Sequence, residues 1–329
     1  MTVRLALIGA GRIAKVHAAA ILSLEDADLV AVADAMPGAA EALAARCGSR
    51  VMGVDEIAAH PDIDAVLICT PTDTHAGLIE LFAKAGKHVF CEKPVDLDIK
   101  RATEVVRIAD KAKIKLMLGF NRRYDPNFAA VRKAIDEGKI GEVEMVTITS
   151  RDPRAPDLSY ASRSGGIFRD MTIHDLDMAR FMLGEEPIWV SAHASVLIEP
   201  ELRQIGDFDS ATVILETASG KQAVISNSRR ATYGYDQRVE VHGSLGVLNA
   251  ENQTENSVRL GTAQGYASAP LLNFFMTRYT ASYAGEIEEF VTCIAEDRTP
   301  RTTGKDGVLA LKLANACIAS VEQHKRVAV

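Results

Sequence analysis

Apolar residues follow two rhythms along this chain. In the first third, short unbroken apolar runs alternate with longer stretches of helical spacing. Residues 3–8 are almost continuously apolar, the pattern of a strand covered on both faces. Residues 13–24 read as a helix, 29–34 as a strand and the Ala-rich 39–47 as a helix introduced by Pro37-Gly38. A buried strand at 65–69, a helix at 74–86 ending on Gly86, a strand at 87–91, a helix at about 98–113 and a strand at 115–118 follow. This alternation predicts a doubly wound parallel sheet in an α/β domain spanning 1–120.

The rhythm changes after Gly119. Residues 126–138 read as a helix and 142–150 alternate as a strand. An irregular stretch, Arg151-Asp152-Pro153-Arg154-Ala155-Pro156, leads through Gly165-Gly166 to a helix over 170–183. From 188 to about 260 come strands with short polar breaks, marked by turns at Ser219-Gly220 and Gly243-Ser244. Two helices, roughly 279–296 and 305–324, close the chain. Residues 121–329 are therefore expected to form a second α/β domain with a large, mostly antiparallel open sheet.

Composition narrows the function classes. The 329 residues exceed the length at which one core usually keeps growing, which favours two domains. A net charge of -7 argues against a general nucleic-acid binder, and neither end shows a helix-turn-helix pattern. No apolar run reaches membrane-spanning length, and the first residues enter a strand at once, so neither a membrane span nor a signal peptide is expected. Five scattered cysteines without zinc or Cys-x-x-Cys spacing suit free thiols in a reducing cytoplasm. Cys91 reads as a small buried residue at a strand end rather than a nucleophile.

The motif Gly9-Ala10-Gly11-Arg12-Ile13-Ala14 follows the first strand and opens a helix. Gly9 permits the tight turn, Gly11 the approach of a pyrophosphate, and Ala14 close helix–strand packing. The helix N-terminus, including Arg12 and Ile13, offers N–H groups to phosphate. Asp34 ends the second strand at the distance where an acid accepts hydrogen bonds from ribose hydroxyls. Ala35-Met36 brings no cation for a 2′-phosphate, so NAD is expected over NADP. Asp34 can alternatively cap the turn. Thr70, Pro71 and Thr72 lie at a strand C-terminus, where ligands sit in such sheets, and border the expected cofactor. His75 either reaches the nicotinamide or caps its helix.

The proton-handling candidates are Lys93, in Cys91-Glu92-Lys93-Pro94, and Asp170 and His174, four residues apart and so on one face of a helix. Oxidising a secondary alcohol removes a hydride and a proton. Neutral His174 can take the proton, Lys93 can stabilise the developing alkoxide, and Asp170 can orient either partner. Each has a bland counterpart: a solvated lysine, a structural histidine, a helix-capping aspartate. Asp170, His174, Asp175 and Asp177 also invite a metal, but no second histidine lies in ligand register, and none is expected.

Together the glycine turn, Thr70-Pro71, Glu92-Lys93-Pro94 and the segment from Gly165 to Asp177 resemble the Gfo/Idh/MocA oxidoreductase family. The resemblance implies a Rossmann domain followed by an α/β domain, usually joined into a homotetramer through the open sheet. It also implies that Lys93 and Glu92 lie by the nicotinamide and that Asp170 and His174 complete the site. The activity it implies is NAD-dependent oxidation of a cyclitol, myo-inositol foremost, with another polyol or sugar, or a non-catalytic NAD sensor, as alternatives. A polyol needs several polar anchors. Asn121, Arg123, Asp152 and Tyr235 are the candidates beside Asp170 and His174, with Tyr233 close behind Tyr235.

Overall fold

The computed structural model describes residues 2–329 and divides the chain into two compact units. In chain order the first stretch runs β1 (Val3–Ile8), α1 (Arg12–Leu22), β2 (Ala27–Ala33), α2 (Pro37–Cys47), β3 (Arg50–Val51), α3 (Val54–Ala59), β4 (Ala65–Ile68), α4 (His75–Lys84), β5 (His88–Cys91), α5 (Ile99–Ala112) and β6 (Leu116–Leu118). The six strands are parallel in the order β3-β2-β1-β4-β5-β6. The order reverses between β1 and β4, so their C-terminal ends flank the crevice where such sheets bind ligands. Leu5, Leu7, Leu67 and Phe90 are fully buried, as the unbroken apolar runs require. β3 and α3 are absent from the sequence reading, being too short for any period to register.

The second stretch runs α6 (Pro126–Asp136), β7 (Val143–Arg151), α7 (Leu158–Ser164), a π-helical turn (Phe168–Thr172), α8 (Ile173–Leu183), β8 (Pro187–Ser195), β9 (Ser210–Thr217), β10 (Gln222–Ser228), β11 (Asp236–Gly243), β12 (Gly246–Ala250), the hairpin β13 (Arg259–Thr262) and β14 (Gly265–Ser268), and α9 (Phe275–Arg278). After it come α10 (Thr280–Ala295), α11 (Gly304–Gln323) and β15 (Val327–Ala328). Seven strands form a sheet in the order β12-β11-β7-β10-β9-β8-β15. It is antiparallel apart from the β7–β10 pair, which long intervening elements separate in sequence. Val146, Ile148, Val213, Leu215, Ile225 and Val239 are buried on one face, while Met145 and Ile214, on the other, stay 43% and 46% exposed.

The chain crosses between units more than once. The first unit comprises residues 1–125 and 280–311, the second 126–279 and 312–329. A single cut near 120 misses the return of α10. Its Ile287, Phe290 and Val291 join the same core as Val3, Leu5 and Phe90, and the Phe90 and Phe290 rings meet edge-on at 6.0 Å. Periodicity shows that this stripe is buried but carries no information on which unit buries it.

Candidate active site

Gly9 makes the turn out of β1 at φ 101°, and a Cβ there would stand 2.8 Å from the Cys69 carbonyl oxygen. Only glycine fits this closeness and this backbone. Gly11 is the N-cap of α1, has no side-chain cap, and faces open space where a Cβ would point. Ala14 is fully buried. Asp34 is fixed by two backbone donors, Ala10 N–H to Oδ2 at 2.6 Å and Met36 N–H to Oδ1 at 2.7 Å. The acid thus ties the tip of β2 to the glycine turn. Uncapped helix N–H groups, an open glycine backbone and a carboxylate beside them fit a dinucleotide pyrophosphate and ribose.

The neighbouring loop is braced from inside. The Thr70 and Thr74 hydroxyls lie 2.6 Å apart, and Thr74 Oγ1 donates to the Pro71 carbonyl at 2.7 Å. His75 is 1% exposed, its Nδ1 2.7 Å from the Pro94 carbonyl and its Nε2 2.9 Å from the Thr70 carbonyl. The ring therefore links the Thr70-Pro71-Thr72 loop to the turn after Lys93. Lys93 is half-buried and precedes a cis peptide to Pro94. Glu92 turns inward instead, its Oε1 2.7 Å from His17 Nε2 on α1.

Two of the expected polyol anchors brace the exit from β6. Asn121 and Arg123 are buried. Asn121 Nδ2 donates to Ser282 Oγ at 3.2 Å, and Arg123 donates to the Arg301 carbonyl and, at 3.0 Å, to Asp306. Arg123 is thus bound up in an ion pair of its own unit.

In the second unit, Asp170 lies within the π-helical turn rather than on a regular helix, so the expected α-helical register with His174 is interrupted there. π turns are rare and recur at functional sites. Tyr160, on α7, donates to Asp170 Oδ1 at 2.9 Å. The Arg229 guanidinium, 1% exposed, lies 3.5 Å from Asp170 Oδ2 and 3.9 Å from Asp207 Oδ2. Asp207 Oδ1 accepts from the Ile167 and Phe208 N–H groups at 2.7 and 2.8 Å, and a Cβ on Gly166 would strike it at 2.8 Å. His174, half-buried, opens the first turn of α8. Behind it, Asn227 Nδ2 donates to Asp175 Oδ2 at 2.8 Å and Thr172 Oγ1 donates to Asn227 Oδ1 at 2.7 Å. Arg180 donates to Asp177 at 3.2 Å. Asp152 is half-buried, its N–H on the Ser228 carbonyl. Tyr235 is buried edge-on against Tyr279 at 6.0 Å, whereas Tyr233 is 51% exposed and bonds Asp236 and Arg151.

Residues 3–120 match the model of an oxidoreductase family with an NAD-binding Rossmann fold, and residues 128–249 match the GFO/IDH/MocA C-terminal domain. The chain belongs to the Gfo/Idh/MocA family. It is 61% identical over 329 residues to inositol 2-dehydrogenase of Rhizobium meliloti (strain 1021), covering 100% of both chains. Myo-inositol 2-dehydrogenase of Thermotoga maritima is 43% identical, with 98% of each chain covered. The crystal structure of a myo-inositol dehydrogenase from Corynebacterium glutamicum superposes with a TM-score of 0.96 at 41% identity, covering 100% of this chain and 99% of that one.

This family member is accordingly an NAD-binding oxidoreductase. Tyr160, Asp207, Arg229 and Asn227 join this cluster without standing among the candidates that the sequence offers. Tyr160 lies between the irregular 151–156 and Gly165-Gly166, where the pattern predicts no element, and it sits on the short helix α7. Arg229 gave a usable signal, an arginine pair Arg229-Arg230 at the end of an alternating strand. Asp207 and Asn227 gave none.

Proposed function

We propose that this enzyme is an NAD-dependent inositol 2-dehydrogenase that oxidises myo-inositol to 2-keto-myo-inositol (scyllo-inosose). The observation that carries the reading is the identity of 61% across the full length of a relative bearing that name. NAD, when bound, supplies the hydride acceptor. Gly9, Gly11 and the first turn of α1 would hold its pyrophosphate, and Asp34 its ribose. Lys93 donates a hydrogen bond to the reacting hydroxyl oxygen and stabilises it as it loses its proton. His174 accepts that proton. Asp170, steadied by Tyr160 and Arg229, accepts from a ring hydroxyl, with Asp152 as a further anchor. In the same reading the open sheet face joins subunits of a homotetramer, and the free thiols belong to a cytoplasmic protein. No helix among the described residues is long and apolar enough to cross a membrane.

The test is NADH formation with a panel of inositol isomers and hexoses. Myo-inositol is expected to give the highest kcat/KM, with NAD preferred over NADP. Faster oxidation of scyllo-inositol or a glucose-like sugar would change the substrate. NAD binding without oxidation of any polyol would make the protein a nucleotide sensor. Lys93→Ala and His174→Ala are each expected to lower kcat by roughly 10²- to 10⁴-fold while NAD affinity is kept. Near-normal turnover in both removes their assigned roles.

A further inference from the structure

A buried acid–histidine–acid cluster lies in the first unit, and two of its members, His17 and Glu286, have no role above. His17, on α1 six residues past the Gly11 cap, is fully buried. Its Nε2 is 2.7 Å from Glu92 Oε1, and its Nδ1 is 4.0 Å from Glu286 Oε1 on α10. The two carboxylates thus flank opposite edges of one imidazole. Phe90 and Tyr283 hold the ring edge-on at 5.1 and 5.6 Å. Glu286 is 0% exposed, and neither of its oxygens has a hydrogen-bond partner among the described residues. The remaining Glu92 oxygen packs on Gly119, where a Cβ would come within 3.1 Å.

With both acids ionised, this pocket would hold two negative charges against one imidazole, and that of Glu286 would be fully buried. Burial of even one uncompensated charge costs more than taking up a proton. The Nδ1–Oε1 gap of 4.0 Å lies beyond hydrogen-bond reach, so an imidazolium would not pair closely with Glu286. The proton therefore belongs on Glu286. Burial first, and the facing Glu92 charge second, push the Glu286 carboxyl well up from its ordinary range. The other titratable neighbours, the Cys69 and Cys91 thiols, are also raised by burial and by the Glu92 charge, and they supply no positive charge.

We propose that His17 and Glu286 are positioning residues: with Glu286 protonated, they lock Glu92, and through it the adjoining Lys93, against the helix that carries the glycine turn. The inference deepens the dehydrogenase reading and rests on it for its kinetic part. Glu92 is anchored at its own backbone by the Ile68 carbonyl at 3.0 Å. Its side chain then has one strong partner, His17. Losing that partner frees the carboxylate next to the lysine that must meet the substrate.

The test uses the full-length enzyme. The infrared carbonyl stretch of a protonated carboxylic acid is expected at neutral pH and is expected to vanish in Glu286→Gln. His17→Phe and Glu286→Leu are expected to lower kcat roughly ten- to a hundredfold while KM for NAD stays within about twofold. Glu286→Gln, which mimics the protonated acid, is expected to keep a kcat at least about fivefold above that of Glu286→Leu. No protonated-acid band in wild type overturns the inference, as does normal kcat in folded His17→Phe. So does a stoichiometric divalent cation in the purified protein, since His17, Glu92 and Glu286 are close enough to share one. An inactive wild type would instead refute the dehydrogenase reading, while the infrared result still decides the proton.

Discussion

Each unit sets one buried and one half-buried acid near a residue proposed for the chemistry, and the two pairs meet different partners. In the second unit Asp170 and Asp207 face the guanidinium of Arg229. In the first, Glu92 and Glu286 face only the imidazole of His17. A permanent cation gives a carboxylate a charged partner at any working pH. An imidazole between two carboxylates leaves one of them to take a proton, which suits a brace and not an acceptor. In the proposed reading the first arrangement serves recognition and the second holds a loop.

The comparison can be broken from either side. Arg229→Leu carries the largest expected effect on stability. Removing the cation from the buried Asp207 and the half-buried Asp170 should cost about 3–5 kcal/mol, read as a lower denaturant midpoint. A loss well under this would mean the pair does not depend on Arg229. Asn227→Leu should cost less, about 1–3 kcal/mol, by removing the amide that joins Asp175 to Thr172. Equal stability in denaturant titration would show that the amide contributes only shape.

The smallest effect is the most diagnostic. The Glu286 carboxyl is raised in the folded state from its ordinary 4.5. An acid raised on folding stays protonated while the unfolded chain has already released its proton, so stability falls as pH rises from about 4.5 toward the folded value. Glu286→Gln lacks this titration. Its Tm relative to wild type is therefore expected to climb between about pH 5 and pH 8. A pH-independent difference would mean that Glu286 is ionised in the folded protein.

Several features were legible beforehand for identifiable reasons. The parallel strands announced themselves because both faces are covered, leaving runs such as Val3–Ile8 with almost no polar break. Gly9 stood at the strand-turn-helix spacing that backbone sterics impose, and Asp34 at the tip of the second strand. The π turn at Phe168–Thr172 was not legible, because one extra residue in a helical turn leaves the apolar pattern nearly unchanged. Arg123 looked available for a ligand and is instead paired with Asp306, a partner far along the chain.

The sequence by itself determined which segments are buried, with what period, and where the chain must turn, since these depend on local sterics and side-chain polarity. Only the tertiary structure decided which acid meets a cation and which meets a histidine. Glu286 comes to His17 because α10 returns to the first core, and Arg229 comes to Asp170 from the end of β10. Such meetings are set by chain topology, and charge compensation acts through space with no trace in local order.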